Sequence, residues 1–227
     1  MTTHIVIVHG AWHHSQSFAL LRNQLEQLGI ASSTVDLSSV ASAGEPIGDM
    51  YQDAALVRDA VDAVDGECFV LAHSYGGLPV TQGLVGATNV KGLIFLTAFV
   101  LDENETLFAA CGSQNPPWWV ESADGERLTT STPEAVFYNT CSPSVAASAA
   151  AALRTQSLLA FNQPITACAW KDIPSTYILC EHDNAIPLFA QEAMSARTGQ
   201  TLLMSTDHSP FLSAPNELAA MLAAIVQ

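Results

Sequence analysis

The sequence predicts an α/β domain: a mostly parallel, six-stranded sheet with helices on both faces and an inserted lid. Three observations carry this reading. Short apolar runs alternate with segments of helical apolar spacing in the first part of the chain, the alternation breaks near Asp102, and it resumes after about residue 165. Strands alternating with helices imply right-handed βαβ crossovers, which produce parallel sheets covered on both faces.

His4–Val8 reads as the first strand, and Gln16–Leu28 as a helix stopped at Gly29. Ser32–Leu37 is the second strand. Ser38–Asp49, rich in Ser, Gly and Pro, reads as a loop, and Met50–Val64 has helical spacing. Glu67–His73, Leu78–Val85 and Val90–Ala98 follow as strand, helix and strand. Residues 102–165 then contain Pro116-Pro117-Trp118-Trp119, a turn near Asp124-Gly125 and the alanine-rich helix Val145–Leu153. Thr176–Cys180 and Thr201–Ser205 are the last strands, with helices Leu188–Arg197 and Asn216–Val226. The expected organisation is a core of residues 1–101 and 166–227, interrupted by a lid at 102–165.

Composition narrows the function classes. A chain of 227 residues fits one domain, and 49% hydrophobic against 13% charged residues marks it as globular. The longest mostly apolar runs, such as Leu93–Leu101, are too short to span a bilayer. Met1-Thr2-Thr3-His4 leads into a strand with no basic segment or apolar leader, so a cytoplasmic location is expected. Seven Lys+Arg against 22 Asp+Glu give a net charge of −15, which argues against nucleic acid or anionic membrane as partners. A small molecule is the expected partner, with a homodimer left open. Cys68, Cys111, Cys141, Cys168 and Cys180 lack metal-type spacing and are expected to be free buried thiols in a reducing compartment.

The chemistry centres on Ala72-His73-Ser74-Tyr75-Gly76-Gly77, directly after the apolar run Cys68–Leu71. Small residues two before and two after a serine allow a sharp strand-to-helix turn that presents the hydroxyl beside a helix N-terminus. A turn serine beside glycines is more often structural, so partners are required. His208, past the last strand, lies at the same carboxyl edge and is the candidate base. Asp183, past the preceding strand, is the candidate acid, with Glu181, Asp102 and Asp207 as rivals. Asp102 is the serious alternative, whereas Asp207 abuts His208 and is expected to point away.

Oxyanion donors are expected from the backbone N–H groups of Tyr75 and Ala11, the latter in His9-Gly10-Ala11-Trp12, where Gly10 permits close approach. A plain glycine turn would explain Gly10 equally well. His9, His13 and His14 lack the acidic partner of a helical zinc motif, so no metal is expected. His9 is expected to order the oxyanion loop. Gly10, His13, Trp118, Trp119, Phe137, Tyr138 and Phe161 are the expected substrate contacts, although the aromatic residues would serve equally to pack a lid.

These motifs resemble the α/β-hydrolase superfamily, and within it the branch of plant methylesterases, hydroxynitrile lyases and bacterial esterases. The resemblance rests on Val8-His9-Gly10-Ala11-Trp12-His13, on the Ser74 hexapeptide, on Asp207-His208-Ser209-Pro210, and on Ile173–Tyr177 leading to Asp183 and Pro187. It implies an α/β-hydrolase fold and triad chemistry with no cofactor. The lyases of that branch carry threonine after the oxyanion-loop histidine and lysine after the catalytic one; here those positions are Gly10 and Ser209. Without that cation a leaving cyanide lacks a stabiliser. The expectation is a serine esterase acting on a small apolar or aromatic ester, such as a methyl or aryl ester. A cofactor-free lyase and a ligand receptor with a hydrolase shell stand as alternatives.

Overall fold

A computed structural model describes residues 3–227; the first two residues of the expected core segment lie outside them. Six strands form one sheet: β1 (His4–Val8), β2 (Ala31–Val35), β4 (Cys68–His73), β5 (Val90–Leu96), β9 (Ser175–Cys180) and β10 (Gln200–Met204). Their order is β10-β9-β5-β4-β1-β2, and every pairing is parallel. The chain runs outward from β1 to β2, then returns to β4 on the other side. The switch point therefore falls between β1 and β4, where open α/β sheets form their ligand crevice.

Alternating side chains divide the core. Val6, Val8, Val70 and Phe95 lie on one face with α2 (Met50–Asp62) and α3 (Gly77–Gly83). Ile5, Ile7, Leu71 and Ile94 lie on the other, with α1 (Ala19–Gln27) and α10 (Pro215–Val226). Both faces of the central strands are buried, which is why those strands read as continuous apolar runs. A capping box starts α2: the Gln52 N–H donates to Asp49 at 2.9 Å and the Asp49 N–H to the Gln52 side chain at 3.2 Å. The helix expected from Gln16 starts instead as a 3-10 turn, Ser15–Phe18, that passes into α1.

Between β5 and β9 lie α4 (Leu107–Ala110), β6 (Trp119–Glu121), β7 (Arg127–Thr130), α5 (Pro133–Phe137), α6 (Pro143–Ala151), β8 (Thr155–Ser157) and α7 (Leu158–Asn162). The strands form a second, antiparallel sheet ordered β3-β8-β7-β6, in which β3 is Val40–Ala41. The stretch expected to be only loop thus contributes a strand to this sheet, since Val40 and Ala41 are buried against β8. After β9 come α8 (Leu188–Ser195) and α9 (Pro210–Ser213). All five cysteines are free; Cys68, Cys168 and Cys180 are buried, whereas Cys111 and Cys141 are half-buried because they sit in the segment over the site. Among the described residues no helix is long and apolar enough to cross a membrane.

Candidate active site

Three residues past the ends of strands at one edge have strained backbones. Trp12 follows β1 with φ +62°, Ser74 follows β4 with φ +54°, and Thr97 follows β5 with φ +37°. Non-glycine residues hold this conformation only where their surroundings impose it. At Ser74 the surroundings are backbone: a Cβ on Gly77 would sit 2.0 Å from the Phe99 carbonyl oxygen, and one on Gly76 2.6 Å from that of His9. The Phe99 N–H then donates to the Ser74 carbonyl at 3.1 Å. Gly10 is equally constrained, since its Cβ would lie 2.7 Å from Ser74 Cβ. The glycines let the loop after β1 and the serine turn touch.

His208 is buried, and its Nδ1–H donates to Asp183 Oδ2 at 2.6 Å. Thr97 donates its hydroxyl to the same oxygen at 2.5 Å, and the Ala185 and Ile186 N–H groups donate to Oδ1 at 2.6 and 2.9 Å. All four contacts on Asp183 are therefore donors. With Nδ1 committed, Nε2 is the ring nitrogen left for a partner. His208 and Ser74 line one cavity together with Ala11 and Tyr75, although no direct hydrogen bond joins serine and imidazole among the described residues. Such contacts commonly tighten only with substrate.

The rival carboxylates are engaged elsewhere. Asp102 pairs with Lys171 at 2.5 Å, and that ammonium pulls its carboxyl down to about 2. Glu181 accepts from Ser205 Oγ at 3.0 Å. Asp207 points away from the imidazole as expected, accepting from Thr140 N–H at 3.0 Å, Cys141 Sγ–H at 3.7 Å, Ser209 N–H at 3.0 Å and Ser213 Oγ–H at 2.8 Å.

Three more histidines at this edge, His9, His13 and His73, are buried. His9 accepts from the Leu37 N–H at Nε2 (3.1 Å) and donates from Nδ1 to the Gly10 carbonyl (2.9 Å), so it orders the loop as anticipated. His13 donates from Nδ1 to the Ala11 carbonyl at 2.8 Å and accepts from the Tyr138 hydroxyl at 3.0 Å. Burial pushes His9 down to about 4 and His13 to about 3. His73 donates from Nε2 to the His208 carbonyl at 2.8 Å, and burial holds it well below the usual histidine range.

Tyr75 carries a feature that sequence reasoning missed. Its hydroxyl donates to the buried Asp53 at 2.7 Å and accepts from Ser39 Oγ at 3.3 Å. Asp53 also accepts from Ser38 Oγ at 2.8 Å and the Ser39 N–H at 3.0 Å; burial raises its carboxyl. This network fixes the backbone of residue 75. The signal was available, because Asp53 lies on the same helical face as Met50, Val57 and Val61.

The cavity has a volume of about 30 Å³. Trp118, Trp119, Phe137 and Phe161 line it as expected. Gly10, His13 and Tyr138 do not: Gly10 is pressed on Ser74, and the His13–Tyr138 pair is buried behind the wall. Trp12, Phe99, Leu107, Cys111, Pro116 and Ile186 line it unexpectedly. Trp12 is the hub, with ring centroids 5.5 Å from Trp118, 6.2 Å from Trp119, 5.6 Å from Phe137 and 5.8 Å from Phe161. Its Nε1–H donates to the Leu128 carbonyl at 3.0 Å, joining the loop after β1 to β7.

The sequence model described as "Alpha/beta hydrolase family" matches residues 5–221. The chain belongs to the alpha/beta hydrolase family. This alpha/beta hydrolase is 27% identical to the alpha/beta hydrolase nvfD of Aspergillus novofumigatus, over 96% of its own length and 94% of that protein's. It is 25% identical to Methylesterase 2 of Arabidopsis thaliana, over 98% and 95%. Among solved structures, the pyrethroid hydrolase of Sphingobium faniae superimposes with a TM-score of 0.84 at 22% identity, covering all of this alpha/beta hydrolase and 98% of that chain.

Proposed function

We propose that this alpha/beta hydrolase is a serine esterase that cleaves a small apolar or aromatic carboxylic ester, a methyl or aryl ester, through an acyl-enzyme. Ser74 Oγ attacks the ester carbonyl carbon while its proton passes to His208 Nε2. The negative charge that develops on the carbonyl oxygen meets the N–H groups of Ala11 and Tyr75. Asp183, bonded to Nδ1, holds the imidazole in the tautomer that leaves Nε2 free and balances the imidazolium. Collapse of the intermediate breaks the C–O bond, and the alcohol leaves with the proton from His208. Water, deprotonated by the same nitrogen, then releases the acid and restores Ser74.

The observation that carries this reading is the 2.6 Å His208–Asp183 bond at the wall of the cavity that also contains Ser74. Four indole and phenyl rings of the covering segment face that cavity, which suits an apolar or aromatic substrate. The Methylesterase 2 relative and the pyrethroid hydrolase neighbour are consistent with ester substrates. A burst of p-nitrophenol from a p-nitrophenyl ester, equal to the enzyme present, is the expected signature of the acyl-enzyme. Steady release with no burst, unchanged in Ser74→Ala, would refute it.

A further inference from the structure

The cavity beside Ser74 is narrow and lined closely by aromatic side chains, and its walls differ in what lies behind them. Phe99 lines this cavity and also a neighbouring one of about 410 Å³. The cavity at the amino ends of the strands and the two beside β7 and α6 share no lining residue with it.

The same partition is seen in two helices. On α4, Leu107 lines the reactive cavity, while Ala109 and Ala110 line the outer one. Just before α8, Ile186 lines the inner cavity, and within its first turn Phe189 and Ala190 line the outer. The outer chamber is walled mainly by small and apolar side chains, among them Ala193 and Met194, with Phe189 74% exposed. Its charged edge is closed on itself: Arg197 donates to both carboxylate oxygens of Glu105, at 2.5 and 2.8 Å, leaving no free cation for an anionic ligand.

We infer that the outer chamber is a second subsite, which takes the unbranched hydrocarbon chain of a longer ester, and that Phe99 is the partition whose displacement admits it. This assignment rests on the esterase reading above. Phe99 is well placed to control it, because its N–H is tied to the Ser74 carbonyl, which puts the partition one residue contact from the reacting centre.

The test is the ratio of kcat/KM for long over short esters, in two series: p-nitrophenyl acyl esters from acetate to octanoate, and acetates of alcohols from methanol to octanol. The series that responds identifies which side of the ester lies in the chamber. Phe99→Ala, with Phe99→Leu as the milder form should the core variant not fold, is expected to raise the ratio about tenfold in one series. Ala193→Trp, which fills the outer chamber, is expected to lower it by a similar factor. Ratios that stay within twofold in every variant, while Ser74 still turns esters over, would overturn the subsite. If the wild-type protein cleaves no ester in either series, the esterase reading fails and the subsite with it.

Discussion

The carboxyl edge of the main sheet and the segment that covers it are held together by different physics. The edge rides on parallel strands of five to seven residues whose ladder fixes each turn. The cover is built from strands of two to four residues and held down by a few specific links. Asn139 Nδ2–H donates to the His182 carbonyl at 3.0 Å, Asn184 Nδ2–H to the Ala135 carbonyl at 2.8 Å, and Thr140 N–H to Asp207 at 3.0 Å. The β3–β8 pairing, the Trp12–Leu128 and His13–Tyr138 bonds and aromatic packing around Trp12 complete the attachment. The proposed function thus puts reactive groups where the backbone is over-determined, and substrate selection where packing can adjust.

That contrast is sharpest in Asp183→Asn. The amide keeps the shape but reverses a donor–acceptor pair with His208 Nδ1, which favours the wrong tautomer. Turnover is expected to fall about 10⁴-fold with little change in fold. Loss of less than tenfold in kcat, with native circular dichroism, would mean that the edge is not set for triad chemistry.

Acid should damage the edge before the cover. Below about pH 6.5 the unfolded chain protonates histidines that the folded edge keeps neutral, so stability is complete above that pH and is lost on acidification toward pH 4 for His9 and pH 3 for His13. Each contributes a slope of about 1.4 kcal/mol per pH unit within its window, and His73, held well below the usual range by burial, adds in the same direction. Urea midpoints measured from pH 7 to 5 will show the decline, and a flat midpoint would place these rings in solvent.

Trp12→Ala breaks the junction between the two regions. Removing a buried tryptophan typically costs about 3–5 kcal/mol, measurable by denaturant titration, and here it also unseats the four rings packed on it. A loss below about 1 kcal/mol would show that the cover does not depend on this hub. Tyr75→Phe is milder: it removes one of the donors to buried Asp53, for an expected cost of about 1–3 kcal/mol and a modest fall in kcat from the slackened N–H at residue 75. Asp102→Asn is the smallest. Its partner Lys171 is largely exposed, so stability should change by less than about 1 kcal/mol and activity within error. A large loss of activity would return Asp102 to contention as the acid.

The same contrast explains what could be read from the sequence. The six strands, the Ser74 turn, His208 and Asp183 were legible because each depends on local pattern: an apolar run, small residues beside a serine, a polar residue at a strand end. Asp183 could be preferred over Asp102 as the partner of His208 but not separated from it, since the contact that engages Asp102, with Lys171, spans sixty-nine positions of chain. Val40–Ala41 read as loop because it is only two residues long and its partner, Thr155–Gln156, is still more remote. His13 and Tyr138 were expected at the cavity wall and instead satisfy each other behind it. Thr97 gave no local signal, yet its hydroxyl shares an Asp183 oxygen with His208.

The central claim is that this edge activates Ser74. Intact-mass and peptide mapping after treatment with a fluorophosphonate tests it most directly. One phosphonyl group on Ser74 is expected in the wild-type protein, forming far more slowly in His208→Ala. An adduct on another residue, or equal labelling rates in the two proteins, would contradict it.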